Sequence, residues 1–123
     1  MTKDDERRFE ALGYRLQLAE EDGVWVATAR RLDTGEAFGP PVPGDAADEA
    51  AGQLAGWLEW QHRHAAALAA LQAAEAAYHR VAAQAGLGGA DSALREQVTT
   101  ALEALDDRRR ELDTVRGQRP WPH

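Results

Sequence analysis

From Tyr14 to Ala19 apolar and polar residues alternate, with Tyr14, Leu16 and Leu18 on one side and Arg15 and Gln17 on the other. A period of two predicts a half-buried strand whose inner face is Tyr14, Leu16 and Leu18. The segment Glu20-Glu21-Asp22-Gly23 is a turn signal, and Val24–Arg31 is rich in β-branched and aromatic residues, so the pair predicts a β-hairpin. A second turn at Leu32–Gly35 leads into a short third strand, Glu36–Gly39, ended by Pro40 and Pro41, with Phe38 pointing inward. Pro40–Gly44 is then expected to carry the chain across one end of the sheet. Ahead of the first strand, Asp4–Leu12 predicts a short helix closed by Gly13, its acidic start favouring the positive helix end and Phe9 and Leu12 facing inward.

Beyond Gly44 the period changes. Trp57, Trp60, His64, Ala67, Leu71, Ala74, Tyr78, Val81 and Ala85 recur at alternating intervals of three and four, a heptad-like seam along one helix expected from about Asp45 to Ala85. Gly86-Leu87-Gly88-Gly89 reads as a turn, and Leu94, Val98, Ala101, Leu105, Arg108, Leu112 and Val115 repeat the seam in a second helix from about Asp91 to Arg116. Two seams joined by a short loop predict an antiparallel helical hairpin, with Leu71 near Leu105 and Ala67 opposite the Arg108 stem. The fold class is therefore α+β: a short N-terminal helix, a three-stranded antiparallel sheet, and a long helix continuing into a C-terminal antiparallel helical hairpin. The expected organisation is a small α+β unit over 1–60, a helical hairpin over 61–116 that shares the long helix, and a tail over 117–123. Pro120 and Pro122 bar the tail from extending the helix, and Trp121 is expected to fold back toward Trp57 and Trp60.

Leu54, Leu58, Leu68 and Leu102 lie beside the seam and widen the apolar stripe beyond what one partner helix covers. They are the candidate interaction residues. Two arrangements account for them: homodimerisation into a four-helix arrangement, or Leu54 and Leu58 covering the sheet while Leu68 and Leu102 stay exposed. Composition points the same way, because much of the 44% hydrophobic content is alanine, which buries little area per residue, and self-association would supply what the core lacks.

Charge narrows the function classes. The formal net charge is −7 and no third of the chain is net basic, which argues against a nucleic-acid partner. Arg108-Arg109-Arg110 is interleaved with Asp106, Asp107, Glu111 and Asp113, the pattern of a solvated helix face. The chain has no cysteine, so it has neither a disulfide framework nor a thiolate nucleophile, and it has no apolar run of membrane-spanning length. The acidic N-terminus lacks a signal core, so a cytoplasmic protein without a membrane partner is expected.

Glu59 and His62 have the Glu-x-x-His spacing of carboxylate-bridged metal sites, but the seam through Trp57, Trp60 and His64 turns both outward. His62 and His64, two apart, fall on nearly opposite helix faces, while Glu75 and His79 share a face as a surface pair. Gly86–Gly89 lacks the strand, lysine and hydroxyl residue of a phosphate loop, and Ser92 beside Asp91 is helix-start chemistry. No catalytic residue, metal or cofactor is expected. The order helix, three strands, helix is shared with double-stranded RNA-binding domains, yet Gly44-Asp45-Ala46-Ala47-Asp48-Glu49 at the second helix start would repel phosphate.

Strand, turn, strand, then Gly44-Asp45-Ala46-Ala47-Asp48-Glu49-Ala50 opening a helix resembles the HicB-type antitoxin fold, whose members carry a similar Gly-Asp-x-x-x-Glu-Ala helix start. The resemblance covers about residues 14–60 and implies a toxin-neutralising role. It departs from the family in the strand before the proline-rich crossing, and in a helical hairpin where DNA-binding antitoxins carry a DNA-binding segment. The leading expectation is a non-enzymatic interaction module, an adaptor or regulatory subunit that binds a protein partner or itself. A HicB-like antitoxin is the alternative, and a carboxylate/histidine metal-binding protein is the least favoured.

Overall fold

A computed structural model describes residues 2–88 and 91–120, and six elements follow one another along the chain. They are α1 (Thr2–Ala11), β1 (Tyr14–Glu21), β2 (Val24–Arg31), β3 (Ala37–Gly44), α2 (Ala47–Gly88) and α3 (Ser92–Gly117). The fold is α+β, with one antiparallel sheet of order β1-β2-β3. Trp121, expected to dock near Trp57 and Trp60, lies outside the described residues. The chain divides into two compact units, the first comprising the described residues of Met1–His62 and Arg119–His123, the second Arg63–Gln118.

In the first unit the hairpin is built by Asp22 (φ 53°) and Gly23 (φ 82°), the two positive values that a two-residue type I′ loop requires. All eight residues of β1 then pair with β2 without interruption, from Tyr14↔Arg31 to Glu21↔Val24. Tyr14, Leu16 and Leu18 pack against the core, as their alternation predicts. On the central strand the inner positions are Trp25, Ala27 and Ala29. The two alanines are fully buried, and their small side chains let the helical layer approach the sheet.

The third strand departs from its sequence-based end. It does not stop at the prolines but runs through them to Gly44. Two properties permit this. β3 is an edge strand, so a missing proline N–H need cost no ladder bond. It also bulges: Ala29 pairs with Phe38 and Ala27 with Val42, so Gly39, Pro40 and Pro41 stand against the single residue Thr28. The two extra residues preserve the side-chain phase, because the period of a strand is two, and Phe38 and Val42 both stay on the inner face.

Phe9 of α1, Ala27, Ala29, Val42 and Ala50, Leu54, Ala55, Trp57 and Leu58 of α2 form one continuous core. The start of α2 is set close to β3, since a Cβ on Gly44 would come within 2.9 Å of the Ala50 backbone nitrogen. The Glu49 carboxylate accepts a hydrogen bond from the Asp45 backbone N–H at 3.2 Å, satisfying a donor just ahead of the helix. At its far end α2 continues through Gly86, Leu87 and Gly88, which the glycine spacing predicts as turn. Each residue added to an existing helix gains a hydrogen bond, which offsets the roughly 1 kcal/mol that glycine costs in a helix.

In the second unit Asp91 caps α3, its carboxylate accepting the Leu94 backbone N–H at 2.7 Å. Leu105 and Leu112, both seam positions, are buried at 4% and 3% exposure. One groove has Ala66, Ala67 and Ala70 across from Thr114 and Val115, and another has Val81 across from Ala93, Gln97 and Ala101. Higher numbers on α2 thus meet lower numbers on α3, the relation of an antiparallel helical hairpin.

Candidate functional site

Of the four candidate interaction residues, the first unit takes two into its interior. Leu54 (0% exposed) and Leu58 (1%) are core residues of the sheet and helix layers. They present no surface. Leu68 is half-buried and Leu102 is 42% exposed, both in the second unit. Around them the seam is only partly covered: Leu71, Tyr78, Val81, Leu94, Val98 and Val115 are half-buried, against the full burial of Leu105 and Leu112. A two-helix hairpin has one interface, and its flanks stay open for want of a third element. The grooves described above are lined by alanine and valine of α2 and by a mixed set from α3 that includes Glu96, Gln97, Arg110 and Glu111.

The arginine triplet is matched residue by residue with carboxylates. Arg108 reaches Glu111 at 2.9 Å, Arg110 reaches Asp107 at 3.4 Å and Arg109 approaches Asp106 at 3.9 Å, each pair three residues apart on α3. The surface is electrically mixed and offers a polyanion little net attraction. The Arg108 head stands in solvent, held by its own helix neighbour.

Glu59 has a partner that local spacing does not reveal. The Arg8 guanidinium of α1 grips both of its carboxylate oxygens, with Nε donating to Oε2 at 3.4 Å, and Asp5 adds a contact at 3.5 Å. The hydrogen bond to Glu59 raises the Arg8 pKa against the opposing effect of burial, so the guanidinium is charged at any ordinary pH. Glu59 therefore ties α1 to α2, while His62, three residues on, is exposed. Among the described residues no three histidine, aspartate or glutamate side chains converge to hold a metal. His79 is exposed and lies edge-on to the Tyr78 ring, with centroids 5.8 Å apart.

The described aromatic side chains of the first unit are committed to packing. Tyr14 and Phe38 stack at 5.1 Å, and Phe38 leans on Trp57 at 6.1 Å. The register brings them together, since Tyr14 opposes Arg31 and Phe38 opposes Ala29 on the strand between them. The Arg31 guanidinium lies 5.3 Å over Phe38, and that of Arg119 lies 5.7 Å over Trp60. The Trp57 indole Nε1 is buried without a hydrogen-bond partner among the described residues, at a cost of about 1–3 kcal/mol. Trp57 and Trp60 are 9% and 6% exposed, too covered to serve as a stacking platform for a base or sugar.

No helix among the described residues is long and apolar enough to cross a membrane. No protein-family model matches the chain, and neither does any curated protein or solved structure.

Proposed function

We propose that this chain is a non-enzymatic protein-interaction module, an adaptor or regulatory subunit, that self-associates through its helical hairpin. The carrying observation is the thin interior of the second unit, where Leu105 and Leu112 are the buried large side chains among the described residues. Two buried leucines supply roughly 3–6 kcal/mol of hydrophobic stabilisation. Ordering the backbone costs about 1–2 kcal/mol per residue, so further burial would favour the folded hairpin. A second hairpin laid against the first would cover the half-buried seam and Leu102, and a twofold arrangement needs one self-complementary face. The Arg108–Arg110 ion pairs would sit at the wet rim of such an interface, where they add little affinity.

Sedimentation velocity over a wide range of protein concentration tests this reading. The expected result is a concentration-dependent shift from monomer to dimer, weakened in a Leu68→Lys, Leu102→Lys variant that retains its helical circular dichroism. A strict monomer at every concentration would overturn it.

A further inference from the structure

We propose that the free edge of the sheet, strand β1, is a docking site for an extended basic segment of another protein, which adds to it as a fourth strand. The sheet has two edges of opposite character. β3 carries Pro40, Pro41 and Pro43 and a bulge, so its outer edge lacks the run of donors that a new strand needs. β1 contains neither proline nor glycine, is eight residues long and keeps an unbroken register with β2. Among the described residues only β2 pairs with it.

The hydrogen-bond phase identifies the groups on offer. The Leu32 N–H donates to the Gly13 carbonyl at 3.0 Å, continuing the β1–β2 register by one pair. In an antiparallel ladder the groups of successive residues face opposite ways, so Arg15, Gln17 and Ala19 also turn toward β2. The N–H and C=O groups of Tyr14, Leu16, Leu18 and Glu20 therefore point away from the sheet. Such a row is a template for strand addition. The half-buried side chains of Leu16 and Leu18 stand beside it, and apolar residues at alternate positions of an added strand would cover them.

Charge selects the partner. Glu6 and Glu10 of α1 line a hollow with Arg15 and Leu16 at one end of β1, and Glu20, Glu21 and Asp22 stand exposed at the other. A second copy would bring its own carboxylates to this edge, with Arg15 as the one basic side chain of β1 to offset them. A strand alternating apolar with lysine or arginine residues is complementary in both respects. β1 belongs to the first unit, and the proposal does not rest on self-association of the hairpin.

The test is amide hydrogen exchange by NMR on the full chain, with and without a capped synthetic heptapeptide alternating valine and lysine. At saturating peptide the amides of Leu16, Leu18 and Glu20 are expected to exchange more slowly by about tenfold or more, while those of Arg15, Gln17 and Ala19 change little. Glu20→Lys with Glu21→Lys, both at exposed positions, should weaken the effect by about tenfold. The proposal is overturned if the outward amides are unaffected. It is equally overturned if a valine–glutamate peptide protects them as well, or if raising the protein concentration alone does so, which would make the occupant a second copy.

Discussion

Gly39 and Gly35 form a matched pair for testing how β3 is held. Their backbones are nearly the same, at φ 78° and φ 74°, so alanine at either position must adopt a left-handed conformation costing about 1–2 kcal/mol. Their surroundings differ. A Cβ at Gly35 meets nothing within 4 Å, whereas at Gly39 it would lie 2.8 Å from Cζ3 of Trp57. That indole cannot yield easily, because it is a rigid ring, 9% exposed, packed against Phe38 at 6.1 Å. Overpacking of this kind costs a further 1–3 kcal/mol or so. Gly35→Ala is therefore expected to destabilise the first unit by about 1–2 kcal/mol and Gly39→Ala by roughly 2–5 kcal/mol. Urea unfolding followed by tryptophan fluorescence measures both, since Trp25, Trp57 and Trp60 all lie in that unit. If the two variants unfold at the same urea concentration, the close approach of β3 to Trp57 is wrong, and with it the account of why this strand needs a glycine ahead of its prolines.

Three further outcomes are expected. A double-mutant cycle on Arg8→Ala and Glu59→Ala should give a coupling of about 0.5–1 kcal/mol that shrinks in high salt, as both side chains are 40% exposed; zero coupling would mean the pair does not fasten α1. Because the folded-state pKa of Arg8 is raised, its contribution is present throughout the neutral range and fades only on strong alkalinisation, so titration from pH 6 to about pH 9 should leave Arg8's contribution to the coupling unchanged. Leu105→Ala should cost about 2–4 kcal/mol and reduce helical circular dichroism, whereas Leu87→Ala, at a site 91% exposed, should change stability by under about 0.5 kcal/mol.

Much of the fold was legible where the physics is local. The alternation through Leu18, the Asp22-Gly23 loop and the Asp91 cap each depend on a few consecutive residues, and the structure has all three. The α3 seam was equally legible, because Leu105 and Leu112 follow a helical period that has only one face to bury. The candidate site was legible in part. Periodicity placed Leu54, Leu58, Leu68 and Leu102 beside the seam, and it could not tell which would meet another element of the same chain.

Only the tertiary structure decided that. Leu54 and Leu58 enter the core because the small Ala27 and Ala29 lie on the facing strand, a complementarity between residues far apart in sequence. Pro40, Pro41 and Pro43 sit in a strand because β3 is at an edge, and strand order is a property of the whole sheet. Glu59 is joined to Arg8 because α1 and α2 come together, a contact spanning 51 residues that no local pattern encodes. The sequence by itself determined the kind and order of the six elements and which side of each is apolar, but not that β3 runs through its prolines or that α2 runs through Gly86–Gly88. Packing determined what each apolar side meets, because burial free energy depends on the matching surface and not on the segment alone.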